Sequence, residues 1–372
     1  MKISIITVLN TVNYGSALQT LATQKFFERL GLEVEFVDYW RKDQTKSARI
    51  RRIILEKKKT LKQWIKKPIR DLFEIHAINE SEKVFRKFIL DKINLSDRIY
   101  HTFDELIKEC PNADIYATGS DQMWNSGWNQ GIEKSFFLEY APEEKKRIAF
   151  ATSIGKTKFE ETEANEIIPL IKKYDLITLR EQSAVELLNN YEVEGTLVLD
   201  PTLTLNKEEW FEIIPKNKRE KPYLLVYQLH LTHDDADFTK AIKRIAERKG
   251  LEIVRISYSH SDRKIGEKVV LPEVFEFLSL IRGAEFIVTD SFHGTAFSIN
   301  FNKQFAVIYP EHFSTRMDNI LQLTGLKERR YRDSDSVEKW DSVILYEGVN
   351  NMLAERRSKV ENIFKSYIES WC

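Results

Sequence analysis

The chain has 372 residues, 42% hydrophobic and 31% charged, which is typical of a globular protein long enough for two domains. Its 57 Lys and Arg residues equal its 57 Asp and Glu residues, which argues against a general nucleic-acid-binding surface. Only two cysteines and no apolar run of about 18 residues argue against a disulfide framework, a cysteine zinc site or a membrane-spanning helix, and favour the cytosol.

The first predicted elements form a βαβ unit. Residues 3–9 have the apolar pattern of a buried strand, 10–16 form a polar loop, and 17–30 carry apolar residues at helical spacing up to Gly31. A second strand is predicted over 33–39. Because the loop lacks the GxGxxG pattern, the unit has no dinucleotide-binding fingerprint.

A basic segment follows this unit. Residues 41–70 carry thirteen Lys or Arg and two acids, a net charge of +11, so the rest of the chain carries −11. The segment is predicted to be helical over about 50–89, with a break near Pro68. Two interpretations remain open: a solvated helical insertion, or a basic amphipathic element that lies on an anionic membrane surface.

Each further strand predicted in the first half ends in a polar cluster. Since parallel strands end at the same edge of a sheet, these clusters are expected to line a cleft. Trp124 and Trp128 are candidates for stacking on a sugar ring, and Arg180 for binding phosphate or carboxylate; a buried tryptophan and a salt bridge are the alternatives. The predicted strands are 113–118, 147–152, 175–179 and 197–199, and the predicted helices are 103–108, 161–173 (kinked or interrupted at Pro169) and 182–190.

A second α/β series is predicted after residues 206–221, where Pro215, a charge run and Pro222 indicate an interdomain linker. His230 and His233 in this series are spaced i, i+3, but no carboxylate pattern accompanies them, so no metal site is expected. The predicted strands are 223–229, 252–257, 286–288 and 304–309, and the predicted helices are 235–249, 272–281, 294–300, 317–323 and a final region over 336–371.

The stretch from Phe286 to Ser298 is the most indicative of function. It reads as a buried strand, then Asp290, Ser291 and His293, then a helix that opens at Gly294. Ligands of open α/β sheets bind beyond the carboxyl ends of strands, and a helix N-terminus there offers N–H groups to an anion. The pattern therefore predicts a histidine beside an anion site; a structural histidine in a turn is the alternative.

Arg316 stands in the first turn of the helix predicted near 317–323, which Ser314 or Thr315 is expected to cap. A cation at a helix N-terminus opposes the helix dipole, so its presence indicates a bound anion or an ion pair.

Five short motifs stand in a fixed order along the chain: Asn13 to Gln19, Gly119 to Asn125, Thr178 to Glu181, Asp200 to Thr202 and Ser291 to Thr295. Together, at this spacing, they resemble the polysaccharide pyruvyl transferase family over about residues 1–330. The resemblance implies two Rossmann-like α/β domains whose parallel sheets face each other across a cleft, as in GT-B glycosyltransferases. Residues 1–205 would be the acceptor-side domain, with the basic insertion at about 41–92, and 222–335 the donor-side domain. Residues 336–372 would form a C-terminal helix that packs back on the first domain.

The resemblance also implies the chemistry: phosphoenolpyruvate as co-substrate and donor, a saccharide as acceptor, a pyruvate ketal as product, and no cofactor or metal. His293 would be the active-site histidine, with Asp121 or Asp290 as the partner base. Many members have an arginine where this chain has Ser291, and Arg316 is the natural substitute. The implied donor-binding residues are Arg180, Ser291, Gly294, Thr295 and Arg316, and the implied acceptor-binding residues are Asn13, Tyr14, Gly15, Ser16, Gln19, Ser120, Gln122, Trp124, Asn125 and Ser153.

The expected role is in cell-surface polysaccharide biosynthesis in the cytoplasm. A lipid-linked acceptor would give the basic segment a purpose at the inner face of the membrane. Two other functions fit the same residues: a GT-B glycosyltransferase that uses a nucleotide sugar, and a non-catalytic, membrane-associated glycan-binding protein.

Overall fold

The computed structural model describes residues 1–10, 12–41, 45–55, 61–230, 236–258, 264–309, 314–332 and 334–371. The chain divides into two compact units, each built from two pieces of sequence. The first unit is Met1–Thr178 with Leu187–Gly195, and the second is Leu179–Glu186 with Thr196–Cys372.

The first sheet has seven strands in the order β3-β2-β1-β4-β5-β6-β7, and its strands from β3 to β5 pair in parallel. Central strands are buried on both faces, as their runs of Ile, Val and Phe predict. The strands are β1 Lys2–Ile6, β2 Glu33–Tyr39, β3 Leu95–Tyr100, β4 Ile115–Thr118, β5 Lys146–Thr152, β6 Leu176–Leu179 and β7 Thr196–Leu197.

The helices up to residue 189 differ from the sequence patterns mainly at the start of the first helix, at Lys46, where the basic helical segment begins, at Pro68, and at Ser126–Asn129, a short helix that was not predicted. The first helix begins at Tyr14 because the Asn13 side chain caps it, accepting from the Gly15 amide at 2.8 Å, so 14–16 are helical and not part of a loop. The break predicted near Pro68 is wrong, since α3 continues through it. The helices are α1 Tyr14–Arg29, α2 Lys46–Leu55, α3 Leu61–Lys92, α4 Phe103–Lys108, α5 Ser126–Asn129, α6 Glu161–Ile171, which contains Pro169, and α7 Gln182–Asn189.

The second sheet has five parallel strands in the order β10-β9-β8-β11-β12. Its three central strands are largely buried, whereas β10 is a half-exposed edge strand that the sequence analysis missed. The strands are β8 Tyr223–Tyr227, β9 Glu252–Ser257, β10 Glu267–Val270, β11 Phe286–Thr289 and β12 Gln304–Val307.

Seven helices accompany the second sheet among the described residues. Residues 206–221, interpreted as a linker, contain one of them, which Asn206 and Glu209 cap reciprocally. The final helix begins at Glu347, later than predicted, and follows a short 3₁₀ turn at Val337–Asp341. The helices are α8 Pro201–Thr204, α9 Lys207–Ile213, α10 Ala236–Lys249, α11 Val274–Gly283, α12 Phe292–Asn300, α13 Ser314–Leu323 and α14 Glu347–Glu369.

None of the helices in these described ranges combines the length and the apolar character needed to cross a bilayer.

Candidate functional site

The N-terminus of α12 fixes the histidine that the sequence singled out. Ser291 is the N-cap: its Oγ accepts from the Gly294 amide at 3.3 Å, and its own amide donates to Thr289 Oγ1 at 3.1 Å. A Cβ at position 294 would clash with Thr289, so glycine is required where α12 packs against the end of β11. The helix therefore begins at Phe292, two residues before the predicted start, and His293 lies in its first turn.

His293 contacts a buried carboxylate that the sequence analysis placed in a motif without a role. Its Nε2 lies 3.7 Å from Asp200 Oδ2, longer than a hydrogen bond, so the pair attracts chiefly through charge when the imidazole is protonated. Arg180 Nη1 donates to the same oxygen at 3.0 Å. The other oxygen, Oδ1, accepts from the amide and the hydroxyl of Thr202 at 3.0 and 2.6 Å. Both Asp200 oxygens are thus held, and the carboxylate has one orientation.

The charge of Asp200 follows from these contacts. Burial by itself would raise the pKa of the carboxyl, but the contacts with His293 and Arg180 and the hydrogen bonds from Thr202 outweigh it and lower the pKa of Asp200 well below its usual range. Asp200 is therefore an anion at neutral pH. It cannot donate a proton, and its chemical capacity is to orient His293 and to stabilise a positive imidazolium.

The guanidinium groups of Arg180 and Arg316 both lie near the ring of Phe292, the residue that precedes His293. The Cζ atoms of Arg180 and Arg316 each lie 5.7 Å from the centre of the Phe292 ring, and this ring meets the His293 ring edge-on at 5.0 Å. The predicted partners Arg180, Arg316 and His293 are therefore brought together. Arg180 is paired with two buried carboxylates, Asp200 and Glu181, so the positive charge offered to an organic anion comes chiefly from Arg316 and the N-terminus of α12.

A cavity of about 380 Å³ opens beside these side chains, within the second unit. Arg180, Asp200, Phe292, Arg316 and Arg356 contribute to its lining together with several aliphatic residues of β7, α8 and α13. Its volume lies in the usual range for small-molecule sites.

Asp290, a predicted base, has a different environment. One of its oxygens accepts from the Leu229 amide and the other from the His230 amide, at 3.1 Å for the latter, and the residue is 1% exposed. The carboxylate holds the chain that follows β8. Thr295, a predicted donor ligand, is fully buried and donates its hydroxyl to the Ser291 carbonyl at 3.0 Å.

The other predicted base, Asp121, lies in the first unit at the end of β4. Its backbone has a φ of +83°, a region that non-glycine residues adopt rarely and that is enriched at functional sites. Its Oδ2 accepts from Ser16 Oγ at 2.6 Å and its Oδ1 from the Gln122 amide at 2.9 Å. Because Ser16 is in the first turn of α1, the carboxylate stands where a helix dipole stabilises negative charge.

The prediction that Trp124 stacks on a sugar is wrong. Its side chain is fully buried, its ring is nearly parallel to Phe137 at 5.8 Å, and its indole N–H donates to the Phe136 carbonyl at 3.1 Å. Trp128 remains 54% exposed and accessible to a ligand.

Most of the remaining acceptor-side residues build the scaffold around Asp121. Asn125 Nδ2 donates to Gln122 Oε1, and a Cβ at Gly155 would lie 2.6 and 2.7 Å from these two side chains. A larger residue at 155 would therefore displace both. Four further predicted residues are fully buried: Tyr14, Gln19, Ser120 and Ser153.

The spacing of His230 and His233 is only partly covered by the structure. His233 lies outside the described residues, so its position relative to His230 is not described. Within the ranges that the structure does describe, no group of three His, Cys, Asp or Glu residues is arranged to hold a metal ion.

Asp200 is the functional residue that sequence reasoning undervalued. It precedes Pro201 and caps α8, a common helix-start pattern that gives no sign of a catalytic partner. The sequence did contain one indication of its position. Arg180 follows β6 and Asp200 follows β7, and these two strands are neighbours in the first sheet, so both residues lie at the same edge of that sheet.

Its two parallel-sheet α/β domains place the protein in the class in which ligands bind beyond the carboxyl ends of the strands. The family model of polysaccharide pyruvyl transferase matches residues 13–312, and the chain belongs to this family. A comparison with curated proteins finds no match.

Solved structures support the fold alone, because their sequence identity is low. A Listeria monocytogenes protein assigned as a UDP-N-acetylglucosamine 2-epimerase has a TM-score of 0.54 and 12% identity, covering 99% of this chain and 97% of its own. The calicheamicin glycosyltransferase CalG4 has a TM-score of 0.45 and 10% identity, covering 99% and 98%. Of these two, the Listeria structure exceeds a TM-score of 0.5, and it supports the two-domain α/β fold.

Proposed function

We propose that this polysaccharide pyruvyl transferase moves the pyruvyl group of phosphoenolpyruvate onto a saccharide, as a ketal, in cell-surface polysaccharide biosynthesis. The observation that carries the proposal is the cluster of Arg180, Asp200 and His293 at the N-terminus of α12, with Arg316 beside it. Two guanidinium groups and a helix N-terminus suit a donor that carries both a phosphate and a carboxylate.

Ketal formation requires balanced proton transfers, and His293 is suited to them. The methylene carbon of the donor gains a proton, one sugar hydroxyl attacks the neighbouring carbon, and the bond to phosphate breaks. A second hydroxyl then closes the ring. Of the two hydroxyl protons, one replaces the proton given to carbon and the other leaves with phosphate. The fixed anion Asp200 lies 3.7 Å from the imidazole of His293 and would orient that ring for proton transfer, as in other histidine–aspartate pairs.

The acceptor is proposed to bind to the first unit, where Asp121 is the better candidate for the second base. Asp290 has both oxygens held by backbone amides, whereas the Asp121 oxygens accept from Ser16 and from the Gln122 amide at a loop end. A hydroxyl of the sugar would take the place of Ser16 as donor to Asp121. The reaction needs no cofactor or metal, because the donor supplies the activated group.

We further propose a lipid-linked acceptor and peripheral contact with the inner face of the membrane. The support is α2, whose Ile54 and Leu55 are 56% and 64% exposed beside exposed Arg51. Arg49 ties this helix down by donating to the Asn10 carbonyl at 2.7 Å. An anchored helix with exposed aliphatic and basic side chains suits an anionic bilayer surface.

Ligand stabilisation tests the donor assignment. Phosphoenolpyruvate should raise the unfolding temperature of the wild type, and UDP-N-acetylglucosamine should not. His293→Ala should lower phosphate release in the presence of a saccharide by a factor of about 10²–10⁴. His76→Ala, at an exposed histidine of α3, is the matched control and should retain the wild-type rate. Stabilisation by the nucleotide sugar alone would replace the proposal with a glycosyltransferase.

A further inference from the structure

The cavity beside His293 has more aliphatic lining than a three-carbon phosphorylated anion requires. Besides the charged side chains already described, it is lined by the polar residues Glu181, Gln182, Asn319 and Gln322. Six aliphatic residues also line it: Leu197, Val198, Leu199, Leu203, Ile320 and Leu323. In phosphoenolpyruvate the phosphate and carboxylate need charged partners, and only the methylene end is apolar. A volume of about 380 Å³ leaves room for a larger ligand.

One face of α13 carries both kinds of lining residue. Arg316, Asn319, Ile320 and Leu323 follow the i, i+3, i+4, i+7 spacing of one helix face, and all four line the cavity. Asn319 Nδ2 is buried, and no acceptor for it exists in the described part of the chain. Buried donors in folded proteins nearly always have an acceptor, so an oxygen of a ligand is the expected partner.

The order of these residues on the helix separates two kinds of contact. Arg316, at the start of α13, lies against Phe292 and therefore close to His293, and Asn319 is one turn further on. Leu323 is another turn away and is half-buried, so its side chain borders both the cavity and solvent. An anion held by Arg316 and Asn319 thus has aliphatic surface beside it along the same helix.

We propose that this donor site accepts enol phosphates that carry an alkyl group on the methylene carbon of phosphoenolpyruvate. The alkyl group would lie against Leu323, Ile320 and Leu203. The inference rests on the proposed function and keeps its reaction: the same carbon is protonated, the same bond to phosphate breaks and two hydroxyls close the ketal. With the enol phosphate of 2-oxobutyrate, the product carries an ethyl group where phosphoenolpyruvate leaves a methyl group.

Equilibrium binding of phosphoenolpyruvate and of the enol phosphate of 2-oxobutyrate, measured by calorimetry, tests the inference. One additional buried CH₂ group is expected to tighten binding about fourfold. Leu323→Trp should fill the cavity and reverse this preference while retaining phosphoenolpyruvate binding. Leu323→Ala should retain both ligands, because it enlarges the same space. Leu323→Phe serves in place of Leu323→Trp if the larger ring prevents folding.

The outcomes separate the two proposals. If phosphoenolpyruvate binds and its homologue binds tenfold more weakly to the wild type, the inference is overturned and the proposed function stands. The inference is likewise overturned, and the proposed function stands, if Leu323→Trp leaves the ratio of the affinities for phosphoenolpyruvate and its homologue unchanged. If neither ligand binds, the proposed function fails, and the inference fails with it. Phosphate release with the homologue, together with mass detection of the ethyl ketal, completes the test.

Discussion

At the scale of single residues, the site depends on how one buried carboxylate is held. Asp200 has no freedom to rotate, because Thr202 donates twice to one oxygen and Arg180 donates to the other. The backbone that follows Asp200 is also held in place, because Arg357 donates to the Leu203 carbonyl at 2.7 Å. We classify Asp200 as a positioning residue for His293.

Asp200→Asn tests this role because it keeps the shape and removes the charge. Phosphate release should fall by a factor of about 10²–10⁴, with a smaller change in the affinity for phosphoenolpyruvate. The buried Arg180 loses one of its two anionic partners and keeps Glu181, so the free energy of unfolding at pH 7 should fall by about 1–3 kcal/mol. A variant that retains the wild-type rate would remove Asp200 from the mechanism.

The pH dependence of stability gives a second measurement on this pair. Because the pKa of Asp200 is lowered on folding, its stabilising contribution is present above the unfolded pKa of about 4 and is lost as the pH falls towards the folded pKa. The difference in unfolding free energy between wild type and Asp200→Asn should therefore shrink as the pH falls below about 4. A difference that is constant throughout the acid range would contradict the lowered pKa.

Replacing Asn319 should affect the stability of the unliganded protein and its stabilisation by ligand in opposite directions. In Asn319→Leu the buried amide without an acceptor is gone, so the unliganded protein should be as stable as the wild type or more stable. The stabilisation by phosphoenolpyruvate should fall, since the ligand loses a donor. Thermal unfolding with and without ligand measures both effects. Asn351→Leu, at an exposed position of α14, is the matched control and should change neither.

At the scale of elements, α2 is the part of the protein with the clearest prediction outside the site. Replacing both Ile54 and Leu55 by Asp should weaken binding to phosphatidylserine-containing vesicles at least tenfold, because two exposed aliphatic side chains can no longer enter the interface. Leu345→Asp is the matched control: this leucine is 85% exposed but has no basic run around it. Equal loss in the control would show that vesicle binding is not specific to α2.

The bounds of individual helices and strands show how much of the fold could be predicted from the sequence. Strands β2 and β9 and helix α4 have the predicted bounds, because β-branched runs and amphipathic spacing are local signals. Strand β10 was missed because an edge strand is half-exposed and needs no apolar pattern. The start of α12 was placed two residues late, since Phe292 resembles a strand residue and its helical state depends on the cap at Ser291.

The candidate site was predicted in its charged residues but not in its connections. His293, Arg180 and Arg316 each carried a local reason for attention, such as a strand end or an opposed helix dipole. Their pairing is a property of tertiary structure: Asp200 and His293 are far apart in sequence and meet only after both sheets form. Similarly, nothing local distinguishes a buried tryptophan such as Trp124 from one that stacks on a sugar.

At the scale of the whole molecule, the second unit is not a continuous stretch of chain. Residues Leu179–Glu186 belong to it although the residues on either side of them belong to the first unit. They contribute Arg180 and Glu181, which are both buried at the site. Dividing the chain at residue 206, where the sequence indicates a linker, would therefore place Arg180 and His293, the histidine beside Asp200, on different fragments.

This two-piece organisation constrains how the family can recombine. A chimera that takes residues 206–372 from one relative and the rest from another inherits its donor arginine from one parent and its histidine from the other. We expect such a chimera to lose phosphate release, and a chimera that takes 179–205 from the same parent as 206–372 to recover it. Steady-state rates of the two constructions, compared with both parents, measure the effect. Equal rates in the two chimeras would mean that residues 179–205 are interchangeable between relatives. A higher rate in the second chimera would mean that domains can be exchanged only when residues 179–205 and 206–372 come from the same parent.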